Sequence, residues 1–222
     1  MLPQLFIWDD QEPRNGPANM AVDELLWENI QVPTLRIYRW LGDWVSLGYF
    51  SHFASVAAWE PDYSGQIVRR WTGGGIVDHR HDWTYSLIIP RGYALAEMPA
   101  AQSYSVVHAA LAEVMRAEGI DATLSESDAV HKSAYCFQKP VQHDVVTRAG
   151  VKIAGAGQRR GRAGFLHQGS VSVCPQDSLQ RAHQLATMLA DQVCFEPILP
   201  DFSEISHRIM VRYGSPAWTE KR

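Results

Sequence analysis

Apolar residues recur along this chain at two spacings, and each spacing selects a different backbone. Ala18, Ala21, Val22, Leu25 and Leu26 lie three and four apart behind an Asn15-Gly16-Pro17 entry, which predicts a helix starting at Asn15. The same period in Val107, Ala110, Leu111, Val114 and Met115 predicts a second helix over about 103–118, stopped by Gly119. Leu179, Ala182, Leu185, Ala186 and Leu189 predict a third over about 178–192, entered through a capping box of Asp177 and Gln180. A last short helix is expected from near Ser203 to just before Gly214.

Between the helices the period shortens. Leu35 to Trp40 alternates and Val45 to Phe50 follows it, with Gly42-Asp43 as turn chemistry between them. Ile67 to Trp71 and Trp83 to Ile89 read as strands on either side of a glycine loop. Asp144 to Thr147 and Val151 to Ala156 read as a hairpin turning through Arg148-Ala149-Gly150, and Gly164 to Val173 as a further strand. This irregular interleaving, with a hairpin in it, favours an α+β fold of mixed, largely antiparallel sheets flanked by helices over a doubly wound parallel sheet. No repeat, low-complexity tract or linker divides the sequence, so residues 1–222 are expected to form a single domain.

Composition narrows the function classes. With 46% hydrophobic and 20% charged residues the chain can bury a sizeable core, and a net charge of −4 gives no electrostatic reason to expect nucleic acid. No segment approaches the about 20 apolar residues of a membrane-spanning helix. Met1 to Trp8 lacks the basic flank and cleavage site of a signal peptide. The three cysteines, Cys136, Cys174 and Cys194, fit neither a disulfide framework nor zinc-site spacing. A cytoplasmic protein without a metal or a membrane partner is expected.

Candidate chemistry concentrates in three segments. Arg69-Arg70-Trp71-Thr72-Gly73-Gly74-Gly75 runs on to His79 and offers open backbone N–H groups beside two arginines, either as a plain hairpin or as a surface against which a ligand lies. It matches no dinucleotide or phosphate-loop fingerprint. Lys152 sits in an apolar-flanked strand, so its ammonium either reaches solvent or faces a cleft. Around it Arg148, Arg159, Arg160 and Arg162 fall in a stretch without any acid from Val145 to Gln176, a local positive patch suited to steering an acidic partner. Cys136, in Tyr135-Cys136-Phe137-Gln138-Lys139-Pro140, is either a small buried hydrophobe or a thiol whose pKa a nearby ammonium would lower.

In their order along the chain these segments resemble the lipoate–protein ligase, octanoyltransferase and biotin–protein ligase superfamily. The matching pieces are Asn19 to Glu24, Trp44 to Phe50, Arg69 to His79, Asp82 to Ser86, Lys152-Ile153-Ala154-Gly155 and Gln158-Arg159-Arg160. Cys136-Phe137-Gln138-Lys139-Pro140 is similar to the Cys-Phe-x-x-Pro segment of the ligase-like octanoyltransferases that use a cysteine and a lysine. Two positions depart from that group: Gly75 makes a triple glycine, as in the ligases, and Gln168 stands where the transferases have histidine.

The resemblance implies the class II synthetase-like catalytic fold, without an accessory C-terminal domain. It implies Cys136 and Lys152 as catalytic residues, and substrate contacts from Arg69, Arg70, Thr72, Gly73, Gly74, Gly75, His79, Gly155 and Gln158. The donor would be octanoyl-acyl carrier protein, docked on Arg148, Arg159, Arg160 and Arg162. The acceptor would be a lysine of the lipoyl domain of a 2-oxoacid dehydrogenase E2 or of the glycine cleavage H protein. No cofactor is expected. The rival readings are an ATP- and Mg2+-dependent lipoate–protein ligase, an octanoyl amidotransferase between lipoyl domains, and a non-catalytic carrier-protein binding module.

Overall fold

A computed structural model describes residues 1–126, 140–195, 199 and 201–221. An eight-stranded sheet in the order β11-β1-β2-β6-β10-β9-β8-β7 forms its centre. In chain order the strands are β1 (Leu2–Arg14), β2 (Thr34–Trp40), β6 (Trp83–Pro90), β7 (Thr123–Leu124), β8 (Val145–Val146), β9 (Lys152–Gly161), β10 (Gly164–Val171) and β11 (Ala190–Cys194). β3 (Trp44–Leu47), β4 (Gln66–Arg69) and β5 (Ile76–Asp78) make a second sheet in the order β4-β3-β5. The large sheet is parallel where β1 pairs with β11 and β2, and antiparallel from β2 through to β7.

Helices cover both faces. On one, α4 (Ala100–Ala117) and α5 (Ser178–Leu189) bury Val107, Leu111, Met115, Leu185 and Leu189 against Leu5, Leu87 and Phe165. On the other, α1 (Gly16–Asn29) packs Val22, Leu26 and Trp27 against Ile88 and Leu166. β6 and β10, covered on both sides, are buried at every residue, which is why their sequences do not alternate. Short helices α2 (Ser55–Trp59), α3 (Ala94–Glu97), α6 (Ile205–Arg208) and α7 (Pro216–Thr219) complete the elements, with a π-helical turn at Ile209–Tyr213. Among the described residues no helix is long and apolar enough to cross a membrane.

The helices α1 and α5 form where their caps place them, and α4 begins at Ala100, three residues before the expected start. Asn15 accepts the Ala18 N–H at 2.9 Å and Asp177 accepts that of Gln180 at 3.0 Å. The helix expected over 178–192 ends at Leu189, because Ala190–Cys194 leaves it as β11 to pair with β1. β1 is a strand that local pattern does not announce. Its second half, Asp9-Asp10-Gln11-Glu12-Pro13, reads as a polar loop, yet the acids are there to meet arginines.

One of those arginines is Arg36, fully buried between the sheet and α1. Its Nε and Nη2 donate to Asp10 Oδ2 at 3.0 and 2.8 Å, and its Nη1 donates to Asp23 Oδ1 at 2.6 Å. Asn19 supplies its backbone and side-chain oxygens at 3.2 and 2.7 Å. Burial alone would lower the pKa of this guanidinium, but the two carboxylates overcome it and the net direction is up. A second polar seam lies under α4, where Tyr104 and His108 face His167 of β10. His108 gives its Nδ1–H to His143 O at 2.8 Å, and burial holds it neutral, its pKa pushed down to about 4. Burial, helped by His108, lowers His167 as well.

Two outcomes follow from these buried groups. Arg36→Met strands Asp23 without a counter-charge and leaves Asp10 with Arg14 alone, and it should lower the unfolding free energy in urea by about 3–5 kcal/mol; a loss below about 1 kcal/mol would contradict the network's role. A histidine with a depressed native pKa stabilises the fold above its unfolded value and loses that contribution as pH falls. His108 alone should therefore remove about 2 kcal/mol between pH 6.5 and 5. Urea unfolding of His108→Gln across that range should show a shallower slope, and an unchanged slope would contradict the assignment.

Candidate active site

The glycine segment is shaped by the two arginines before it. Successive residues of a strand point to opposite faces, so Arg69 and Arg70 part company. Arg69 turns away from the glycines and is fully buried; its guanidinium binds the carbonyls of Gly48, Ser51 and Thr219 at 3.0, 2.6 and 2.7 Å. Arg70 turns inward, donating to Ser46 O at 2.9 Å and to Gly73 O and Gly75 O at 3.2 and 3.0 Å. The loop is thereby curled around a guanidinium, with Gly74 in the left-handed region at φ +93°. It also lies directly on β9: a Cβ added at Gly157 would come within 2.4 Å of Gly73 O.

Beneath this roof is a narrow cleft of about 90 Å³. Gly74, Gly75, Val77 and His79 line it from above, Met20 from α1, and Tyr38, Trp40 and Thr84 from the sheet. His79 is clamped on three sides. It stacks on Trp40 at 4.0 Å between ring centroids, its Nδ1 lies 2.8 Å from Asp82 Oδ2, and its Nε2 lies 2.6 Å from Ser46 Oγ. Asp82 also accepts the hydroxyls of Thr84 and Ser170 at 2.9 and 2.5 Å. With Nδ1–H given to that carboxylate, Nε2 is left to accept the Ser46 hydroxyl, whose oxygen takes an Arg70 N–H at 2.5 Å. Thr72 donates to Gln168 Oε1 at 2.7 Å, and Gln168 Nε2 donates to Asp23 at 2.7 Å.

Lys152 reaches the cleft through a bulge. Val145 pairs with Ala154 but Val146 with Lys152, so β9 carries one extra residue, Ile153. Ile153 and Ala154 both join the core, while Lys152 comes to the same side as Gly155 and Gly157. A Cβ at Gly155 would lie 2.5 Å from Lys152 Cε, so the side chain rests on bare backbone there. Its ammonium lies 2.7 Å from Asp144 Oδ2, in a pair with side chains 8% and 0% exposed.

Asp144 is the functional candidate that the sequence reading passed over. Its Oδ1 accepts the Tyr104 hydroxyl at 2.5 Å and its Oδ2 the Val141 N–H at 2.8 Å. Tyr104 OH in turn accepts the Ala156 N–H at 3.0 Å. Burial, then the charge of Asp144 and its hydrogen bond, raise the Tyr104 phenol well above its usual value, so it remains a donor. His143, just before Asp144, has φ +71°, an uncommon conformation for a side-chain-bearing residue. The signal in the sequence is an acid directly before the acid-free basic stretch, at the entry to the strand that pairs with β9.

Several expected site residues are not brought together. Gln158 points to the α4 face, 3.1 Å from His167 Nδ1 and 3.4 Å from Ser103 Oγ, not into the cleft. The expected docking patch is dispersed by the same alternation. Arg159 stacks on Trp71 at 4.0 Å on one face of β9, while Arg160 on the other binds Ala96 O and Ser103 Oγ at 2.9 and 2.7 Å. Arg148 and Arg162 are exposed beyond opposite ends of β9, whose ten residues span about 33 Å. Arg69 is likewise a structural clamp and not a wall of the cleft. Cys136 lies outside the described residues; Cys174 is exposed and Cys194 half-buried. Among the described residues no cluster of three or more His, Cys, Asp or Glu could hold a metal ion.

Known proteins resemble this chain in sequence and in fold. The chain is 34% identical over 178 residues to the octanoyltransferase LipM of Halalkalibacterium halodurans, covering 73% of this chain and 63% of that protein. It is 33% identical over 173 residues to the octanoyltransferase LipM of Bacillus subtilis, covering 70% and 61% respectively. The match thus spans about three-fifths of those relatives' length. In three dimensions it superposes on lipoate-protein ligase A bound with ATP with a TM-score of 0.72, at 18% identity and 99% coverage of both chains. On the bi-partite lipoate protein ligase of Thermoplasma acidophilum the TM-score is 0.64, at 17% identity with 99% and 96% covered. The model of the lipoyl protein ligase A/B catalytic domain matches residues 15–205, and the chain belongs to that family.

Proposed function

We propose that this protein is an octanoyltransferase of lipoate biosynthesis, moving an octanoyl group from acyl carrier protein to a lysine of a lipoyl domain through a thioester on Cys136. The observation that carries the reading is the cleft itself: aromatic and apolar walls for a short acyl chain, ending on the buried Lys152–Asp144 pair. Two relatives a third identical to this chain are octanoyltransferases by name, and a solved neighbour is described together with its E2 lipoyl domain.

The chemistry has two balanced halves. The Cys136 thiolate adds to the octanoyl thioester, the carbonyl is rebuilt, and the carrier's sulfur departs as a thiolate that takes its proton from water. The neutral ε-amine of the acceptor lysine then adds to the enzyme thioester, Cys136 leaves as thiolate, and the amide loses its extra proton to a base. Lys152 supplies positive charge where the carbonyl oxygen becomes negative in both halves. Asp144 fixes that ammonium, and it is itself fixed by Tyr104 and the Val141 N–H. The acceptor is taken to be the lipoyl domain of a 2-oxoacid dehydrogenase E2 or the glycine cleavage H protein.

Incubation with octanoyl-acyl carrier protein in the absence of ATP should add the mass of one octanoyl group to the protein, and Cys136→Ser should abolish that gain. Intact-mass spectrometry reads it; a wild type that stays unmodified by this donor but acylates a lipoyl domain with ATP and free acid refutes the transferase. Asp144→Asn, which keeps the shape but frees the Lys152 ammonium, should slow transfer about a hundredfold through loss of orientation. Initial rates decide this, and a change of less than about threefold would remove Asp144 from the mechanism.

A further inference from the structure

The cleft runs across the strands of the sheet. From Lys152, Gly155 and Gly157 on β9 its floor crosses Gln168 and Ser170 of β10 and Thr84 of β6, and it ends at Tyr38 and Trp40 of β2. These strands are neighbours in the order β2-β6-β10-β9, so the floor covers three spacings of about 4.8 Å, about 14 Å in all. One end is the ion pair of Lys152 and Asp144; the other is aromatic.

Behind the aromatic end lies a second cavity, of about 300 Å³, bordered by Arg39, Gly42, Arg80, Asp82, Cys174 and Ser178. Arg39, Gly42 and Cys174 are exposed, so this cavity meets the surface. Tyr38, Trp40, His79 and Thr84 line both spaces. Within that shared wall Trp40 is the cross-piece. Its ring lies flat on His79, 17° from parallel, and its Nε1 donates to Thr84 Oγ1 at 2.9 Å. The hydrogen bond joins the end of β2 to the start of β6 and holds the indole across the passage.

We infer that Trp40 sets the length of acyl chain the protein accepts, by closing the cleft against the second cavity. An extended backbone advances about 3.6 Å over three bonds, about 1.2 Å per bond. At that rise eight carbons reach about 8 Å and twelve about 13 Å. With its carbonyl at Lys152, an eight-carbon chain ends about 6 Å short of β2, whereas the last carbon of a twelve-carbon chain comes within about 1 Å of it, the place the indole occupies. Removal of the ring joins the two spaces and gives the longer tail a route past Trp83 and Pro175, which also line the second cavity.

The inference rests on the acyl-transfer reading, and the test separates the two. Wild type, Trp40→Ala and Trp40→Phe are given octanoyl-, dodecanoyl- and hexadecanoyl-acyl carrier protein, and kcat/KM is taken from initial rates of mass gain. Wild type should prefer octanoyl over dodecanoyl by at least about tenfold, and Trp40→Ala should raise the dodecanoyl-to-octanoyl ratio about tenfold or more. Trp40→Phe keeps a ring without the bond to Thr84 and should fall between them. An unchanged ratio in Trp40→Ala, or a wild type that takes dodecanoyl as readily as octanoyl, overturns the inference. Circular dichroism confirms folding, and Trp40→Leu replaces the alanine variant if that does not fold. A wild type that transfers no acyl group refutes the transfer reading alone. The wall is then read by calorimetric titration with sodium octanoate and sodium dodecanoate, where an equal Kd ratio in wild type and variant overturns it.

Discussion

The Arg36 guanidinium lies out of water between two carboxylates, and the layers around it are arranged to keep it neutralised. Asp10 comes from β1, Asp23 and Asn19 from α1, and Arg36 itself from β2. None of these charges could be buried alone at reasonable cost. Together they pin α1 against the parallel edge of the sheet. Asp23 carries the constraint further: its second oxygen takes the Ser86 hydroxyl and the Gln168 amide, and Gln168 accepts from Thr72 at the root of the glycine loop. A continuous run of hydrogen bonds thus leads from the buried cation to the roof of the cleft. Gln168 has both ends of its amide engaged, a role that requires a donor and an acceptor at once. An imidazole at that position would have to meet Asp23 and Thr72 with only two ring nitrogens.

What the sequence could reveal was governed by the range of the forces involved. α1, α4 and α5 are legible because their apolar stripes and the caps at Asn15 and Asp177 are local. The β8–β9 hairpin is legible because its turn is. β1 and β11 are not, since each becomes a strand only by pairing with distant segments, and the acids of β1 look like a loop until the arginines of β2 are beside them. The mixed, largely antiparallel sheet emerged correctly, but its parallel edge did not.

At the site, residue types were easier to read than directions. Arg69-Arg70 and Arg159-Arg160 each look like one doubled charge, yet a strand sends neighbours to opposite faces, so one of the first pair shapes the loop while the other ties down the chain end near Thr219. Lys152 shows the converse. Strict alternation would place it with Ala154 and away from Gly155, and only the extra residue at Ile153 turns it into the cleft. Asp144 escaped notice because its importance lies in a partner eight residues on, across a hairpin whose register no local pattern reveals.

That hairpin also sits in an uneven part of the sheet. β6 and β10 are closed in on both faces, whereas β7 and β8 are two residues long each and form the sheet's margin. Free energies of opening differ accordingly: marginal strands exchange their amide protons through local fluctuations, central ones only through global unfolding. Asp144 stands at the threshold of β8 and Lys152 at the start of β9, so the ion pair joins a marginal strand to a long one. The site is thus assembled at the sheet's margin while the core lies at its centre, so a melting temperature measures the durability of the scaffold and not the state of the site.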